Sequence, residues 1–145
     1  LGDAIGLSPN YAQAVYSKAW AEMTQCNPHA SEEDAVLALR LSPLDPLRYA
    51  MLGVRSLNAV MRGDFQRAAE WGERAARSSG AHKHIALIAA LGAQLDGQVE
   101  KASEWVARAR QQDPRLSKTA FLRSFPFAAC EARETIEATL SELRL

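Results

Sequence analysis

Apolar residues recur every three to four positions along most of the chain, as in Tyr16, Trp20 and Met23. This spacing places them on one face of a helix, and β-branched residues, which favour strands, are few. Proline, glycine and capping residues interrupt the pattern at intervals, for example at Asn27-Pro28 and Asp96-Gly97. The sequence therefore predicts an all-α fold of eight helical segments.

The stretch ALRLSPLDPLRYAMLG, residues 38–53, places two prolines three positions apart. Pro43 is predicted to end one helix, because proline lacks a backbone N–H and its ring clashes with the preceding turn. Asp45 is predicted to cap the next helix, with Pro46 in the first turn. The stretch is thus predicted to be a joint between two helices.

Such joints recur at a fixed distance. Pro9 and Pro43, Pro46 and Gly80, and Gly80 and Pro114 are each 34 positions apart. Thirty-four residues is the length of the tetratricopeptide (TPR) unit, a pair of antiparallel helices that stacks on its neighbours. We therefore predict a single domain over residues 1–145, an α-solenoid of three helix-turn-helix units at about 9–43, 46–80 and 81–114.

The second and third units agree in detail. RGDFQRAAEWGERAARSSG, residues 62–80, aligns with DGQVEKASEWVARARQQDP, residues 96–114. Gly63 and Gly97 then occupy the turn between paired helices, where a positive φ costs glycine little. The first unit has no glycine in its turn, CNPHASEEDA, and Ser31 with Asp34 predicts a capping box at the start of its second helix.

The period stops after Pro114. The remaining residues, 115–145, predict a helix near 115–124, a Phe125-Pro126-Phe127 corner and a last amphipathic helix with Ile136, Leu140 and Leu143 on one side. We interpret this segment as a C-terminal helical cap that covers the apolar face of the third unit.

Together, ALRLSPLDPLRYAMLG, RGDFQRAAEWGERAAR and the later LRSFPF resemble the C-terminal TPR regions of two groups of bacterial proteins. These are transcriptional regulators with a winged-helix DNA-binding domain, and class III adenylate or guanylate cyclases. The resemblance runs from about Pro9 to Leu143 and implies a regulatory segment joined to an output domain. The chain departs from it in the first turn, which lacks glycine, and after FPF, where Ala-Ala-Cys replaces an Asp-Pro.

Composition narrows the classes of partner. Seventeen basic and seventeen acidic residues cancel in this 145-residue chain, so no net charge attracts nucleic acid or a membrane. Cys26 and Cys130 lie far apart in a chain rich in apolar residues, from which we predict no disulfide and a reducing, cytoplasmic location. The start, LGDAIGLSPN, has no initiator Met and no export signal, and indicates a soluble piece of a longer protein.

No arrangement of residues predicts catalysis, a metal site or a cofactor. His82 and His84 are two positions apart, so their side chains diverge if the helix has begun, whereas metal ligands on a helix need spacings of three or four. Cys26 and His29 form a single Cys-x-x-His without a second pair. A Ser-His-Asp set and a phosphate-binding glycine loop are absent from the sequence.

The first helix of each unit is predicted to line a concave face that binds a protein or peptide partner. The alternative is that most of these residues fill the core, and the groove could also take a neighbouring segment of the chain itself. The candidate residues, placed by the 34-residue period, are Gln13, Tyr16, Trp20, Met23, Leu57, Val60, Met61, His84, Leu87, Leu91 and Gln94.

The leading hypothesis is a non-catalytic protein-interaction and regulatory module of a bacterial signalling protein. Its partner would be a protein or peptide, with the parent protein's own output domain as one candidate, and neither nucleic acid nor a membrane. Two rivals are a scaffold that forms a homodimer and a small-molecule sensor, the latter suggested by Phe121, Phe125 and Phe127.

Overall fold

A computed structural model describes residues 9–145, and the predicted start of the domain at residues 1–8 lies outside this range. The described residues form eight helices and no strand, which confirms the all-α prediction. The helices are α1 (Pro9–Thr24), α2 (Pro28–Leu41), α3 (Arg48–Met61), α4 (Phe65–Ala76), α5 (Lys83–Leu95), α6 (Val99–Gln112), α7 (Lys118–Ser124) and α8 (Glu131–Glu142).

Each of the helices α1 to α5 packs against the next one along the chain. In addition, α1 contacts α3 and α3 contacts α5, so the first helices of successive pairs lie side by side. The last helix, α8, returns to pack against α5. Met23, Leu57, Leu91, Phe121 and Ile136 all belong to one continuous hydrophobic core, which therefore includes both the paired helices and the C-terminal segment.

Neighbouring helices approach closely where the sequence supplies small residues. A methyl group added at Gly92 would lie 2.7 Å from the carbonyl oxygen of Ala68, on the neighbouring helix α4. Between α3 and α4, the buried hydroxyl of Ser56 donates a hydrogen bond to the same carbonyl, at 2.7 Å. These contacts leave no room for larger side chains, because protein interiors are closely packed.

The turns between paired helices follow one pattern. Gly63 and Gly97 have φ of +74° and +81°, as predicted, and Cys26 takes the same place in the first turn with φ +62°. In all three turns the next residue donates its backbone N–H to a carbonyl five positions earlier, as Asn27 does to Glu22 at 2.9 Å. This is the Schellman arrangement that ends a helix with a left-handed residue. The turn after α1 is therefore built like the turns after α3 and α5.

Two predictions about helix starts need correction. Ser31 does not cap α2, which begins at Pro28; its buried hydroxyl instead donates to the carbonyl of Ala19 at 2.6 Å. Asp45 caps the turn before α3, where its carboxylate accepts from the backbone N–H of Leu47 at 2.8 Å, and the helix itself begins at Arg48. The carboxylate of Asp45 therefore caps a turn, as predicted, but this turn precedes the helix and is not part of it.

The prediction of no disulfide is wrong. Cys26 and Cys130 form a disulfide that closes 104 residues of sequence. The pairing was hidden because the segment after α7 folds back to the first turn, where the backbone N–H of Ala128 donates to the carbonyl of Thr24 at 2.7 Å. The turn after α1 and the residue before α8 are therefore joined covalently.

Among residues 9–145, the helices are all too short or too polar to cross a lipid bilayer.

Candidate functional site

A cavity of about 370 Å³ lies where the first helices of the three pairs meet the segment after α7. Tyr16 and Trp20 come from α1, Tyr49 and Gly53 from α3, and Phe125 follows α7. The remaining lining residues are Leu47, Ala50, Val54, His82, His84, Ile85, Ile88 and Ser124. None of the thirteen lining residues carries a formal charge when its histidines are neutral.

Helix geometry explains why α3 leaves space here. Gly53 lies one turn after Tyr49, on the same face of the helix, and a methyl group added to it would contact the ends of Ile85 and Ile88 at 3.5 and 3.4 Å. Because glycine has no side chain, space remains at this position of α3, and aliphatic side chains of α5 lie next to it. A bulkier residue at this position would occupy part of the cavity.

Two tyrosines contribute hydroxyl groups to the cavity. Burial, together with the nearby hydroxyl of Tyr49, raises the pKa of Tyr16 to about 12. Tyr16 is thus a neutral phenol at any physiological pH, able both to donate and to accept a hydrogen bond.

The histidine rings form the opposite wall. Burial lowers the pKa of His84, with the nearby His82 and the positive charge of Lys83 adding to the effect and Asp113 opposing it, which favours the neutral ring. His84 Nε2 lies 3.2 Å from the Ser124 hydroxyl. Its Nδ1 is buried and has no hydrogen-bond partner within the part of the chain that the structure describes.

His82 and His84 do not diverge as the spacing suggested. Their ring centroids are 5.8 Å apart, edge to face, because His82 precedes α5 with an extended backbone. Its Nδ1 accepts a hydrogen bond from the backbone N–H of His84 at 3.3 Å and so begins the helix. Over residues 9–145, no group of three histidine, cysteine or carboxylate side chains is placed to hold a metal ion.

An aromatic cluster closes the C-terminal side. Phe121 and Phe125 have ring centroids 4.8 Å apart, and the ring of His84 lies 6.1 Å from Phe121 and 6.4 Å from Phe125. Phe127 continues the cluster 6.4 Å from Phe125. Because Phe125 also lines the cavity, the C-terminal segment supplies one wall of the site.

The structure brings together three of the predicted binding residues, Tyr16, Trp20 and His84, around this cavity. Met23, Leu57, Leu87 and Leu91 are completely buried in the core, and Val60 is 4% exposed, so these side chains have almost no surface to offer a partner. The last helix, α8, packs against α5, the helix that carries Leu87 and Leu91.

The other three predicted residues lie apart from the cavity lining. Gln13 is exposed on α1, and Met61 is partly buried against the core at the end of α3. Gln94 donates a hydrogen bond to the carboxylate of Glu142 at 3.1 Å, which joins α5 to the end of α8. Sequence reasoning missed Tyr49 and Gly53, although the LRYAMLG stretch that contains them was noticed as a joint. Phe125, which lines the cavity, was named as a candidate site residue only for the alternative small-molecule site.

The chain matches no protein-family model, no curated protein and no solved structure.

Proposed function

We propose that the chain is a non-catalytic TPR module of a bacterial signalling protein, of the transcriptional-regulator or adenylate-cyclase type. The 34-residue period supports this assignment, as do three matching helix-ending turns and the side-by-side packing of α1, α3 and α5. Stacked helical pairs of this kind use the face of their first helices for binding. The Cys26–Cys130 disulfide removes the ground on which a reducing, cytoplasmic location was predicted.

The observation that carries the binding role is the uncharged cavity between α1, α3 and α5. Its volume of about 370 Å³ lies within the usual range of ligand pockets, and its lining is mostly aromatic and aliphatic. The partner is a peptide segment that inserts an uncharged aromatic or aliphatic side chain against Trp20 and Ile88. The Tyr16 and Tyr49 hydroxyls would then bond the peptide backbone beside the inserted side chain.

Selection of peptides from a random display library on the intact, oxidised chain tests this proposal. Selected peptides should share an aromatic or aliphatic anchor, and calorimetry should show at least tenfold weaker binding to Tyr16→Ala and Trp20→Ala. The matched control is Phe65→Ala, which removes an aromatic side chain outside the cavity lining and should leave the affinity unchanged. Equal binding by all the variants would refute the assignment of the cavity.

A small uncharged molecule is the second candidate ligand, favoured by the way Ser124 and Phe125 help to enclose the cavity. Thermal-shift screening of uncharged aromatic fragments would reveal it, because a ligand that binds only the folded state raises the melting temperature. Hits that persist in Gly53→Ala and in Trp20→Ala would place such a ligand elsewhere.

A further inference from the structure

A second groove, of about 400 Å³, lies on the side of α3 that faces away from the cavity. Its floor is apolar and its rim is formed by four arginines. The floor consists of Val36, Leu39, Pro43 and Leu52 with the ring of Trp71, and the rim of Arg40, Arg48, Arg55 and Arg74. No carboxylate belongs to this lining, which is unusual in a chain with equal numbers of acidic and basic residues.

The rim arginines are only partly neutralised. Arg55 donates to the carboxylate of Glu32 at 3.0 Å, and Arg48 bonds the carbonyl of Pro43 at 3.4 Å. Within residues 9–145, no carboxylate lies within ion-pair distance of Arg40 or Arg74, and both residues are exposed. At least two guanidinium groups therefore present their charge to solvent beside an apolar floor.

Trp71 holds two of these groups in place. The guanidinium carbon of Arg55 lies 3.8 Å from the centroid of the Trp71 ring, and that of Arg74 lies 4.9 Å away. Cation–π contacts of this kind orient the guanidinium without neutralising it. Since arginines already lie over the ring, Trp71 is not a free platform on which a nucleobase could stack.

The edge of the groove carries the most exposed large apolar residue in the described chain. Leu44 is 94% exposed and directly follows Pro43, within the three-residue step that interrupts the 34-residue period. Leu37, which follows Val36 on α2, is 37% exposed. An exposed apolar side chain therefore directly follows Pro43, a residue of the groove lining.

We propose that this groove binds an acidic, amphipathic peptide segment of a partner protein. Apolar side chains of the segment would lie on the floor and against Leu44, while its carboxylates would pair with Arg40 and Arg74. Arginine is suited to this role because its guanidinium binds carboxylates in a two-pronged geometry. The site is separate from the cavity, because Arg48 and Leu52 lie on the opposite side of α3 to the cavity residues Ala50 and Val54.

Fluorescence anisotropy with a labelled, synthetic 16-residue amphipathic peptide of leucine and glutamate tests the proposal on the intact chain. The double variant Arg40→Glu with Arg74→Glu should weaken binding by about tenfold or more, since each tenfold step corresponds to about 1.4 kcal/mol. The control double variant, Arg108→Glu with Arg115→Glu, changes the net charge equally but lies outside the groove. It should bind within about twofold of the original chain.

Two further probes separate the apolar and ionic parts of the site. Leu44→Ser alters only an exposed side chain, so it should leave the melting temperature unchanged while weakening the peptide several-fold. A peptide with every glutamate replaced by glutamine should bind at least tenfold more weakly and lose its dependence on salt.

Three results would overturn the proposal: no binding of the acidic peptide, equal weakening by both double variants, or competition by single-stranded DNA as effective as competition by the unlabelled peptide. The last result would indicate a general polyanion surface.

Discussion

Removal of the Cys26–Cys130 disulfide is predicted to lower the stability of the fold substantially. The bond closes 104 residues of sequence. In the chain-entropy account, a cross-link that closes a loop of about 100 residues contributes about 4.7 kcal/mol by restricting the unfolded chain. Unfolding a chain of 145 residues carries an entropy of about 0.3 kcal/mol per kelvin. Reduction should therefore lower the melting temperature by up to about 15 °C.

The assay is thermal unfolding followed by far-ultraviolet circular dichroism, with and without a phosphine reductant. Cys130→Ser should melt at the temperature of the reduced chain and should not respond to the reductant. The reasoning would be refuted if reduction shifted the melting temperature by less than about 2 °C, because the loop closed in the unfolded chain would then have no measurable effect.

A comparison at Cys26 separates the covalent bond from the backbone conformation. Cys26 has φ +62°, in a turn where the other two units have glycine. Cys26→Gly and Cys26→Ala both remove the disulfide, but only alanine keeps the strain of the left-handed conformation. The glycine variant should therefore be more stable than the alanine variant by about 1 kcal/mol. Equal stability would show that the turn relaxes once the bond is broken.

Three further predictions concern single side chains. Gly92→Ala should destabilise the fold by about 2 kcal/mol or more in urea unfolding, because the added methyl would meet the backbone of Ala68 at 2.7 Å. Gly97→Ala should lower the free energy of unfolding by only about 1 kcal/mol, because φ is +81° but no atom lies within 4 Å of the new methyl group. A loss of stability as large as that of Gly92→Ala would contradict this explanation. Hydrogen bonding to Asp34, with burial, raises the pKa of Glu22 from 4.5 to about 7, with Lys18 opposing the shift and Glu33 adding to it. The folded state thus favours protonated Glu22, and this contribution, full below pH 4.5, is lost as the pH rises to 7. The Glu22→Gln variant should therefore become more stable relative to the original chain as the pH rises from 4.5 to 7, with no further gain above pH 7. A stability difference that does not depend on pH would be evidence against the raised pKa of Glu22.

The sequence could predict the helices and most of their joints because these depend on neighbouring residues. Gly63 and Gly97 show their positive φ in the structure because the turn after each helix is determined locally. The disulfide could not be predicted in the same way, since Cys26 and Cys130 meet only through the path of the whole chain. The positive φ of Cys26 could not be predicted either. Cys26 lies 37 positions before Gly63, whereas Gly63 lies 34 positions before Gly97, because three extra residues, Leu44 to Pro46, follow the first unit.

The candidate site was predicted only in part, for a reason that lies in the C-terminal segment. The period places Trp20, Leu57 and Leu91 at comparable positions, yet Leu57 and Leu91 are fully buried while Trp20 lines the cavity. In addition, α8 packs on α5, and its Ile136 and Leu140 join the core that contains Leu91. A repeat period shows which residues share a face, but it cannot show which part of that face a later segment will cover.

This coverage also limits what the cavity can accept. A groove open along its whole length could hold an amphipathic helix, whose anchors recur over two or more turns. Here the chain's own last helix already occupies one end, and Phe125 forms a wall beside the remaining space. The volume of about 370 Å³ is then enough for one or two side chains and not for a helix. A partner at this site should therefore contribute a short anchor, and affinity should depend on Tyr16 and Trp20 far more than on the length of the peptide.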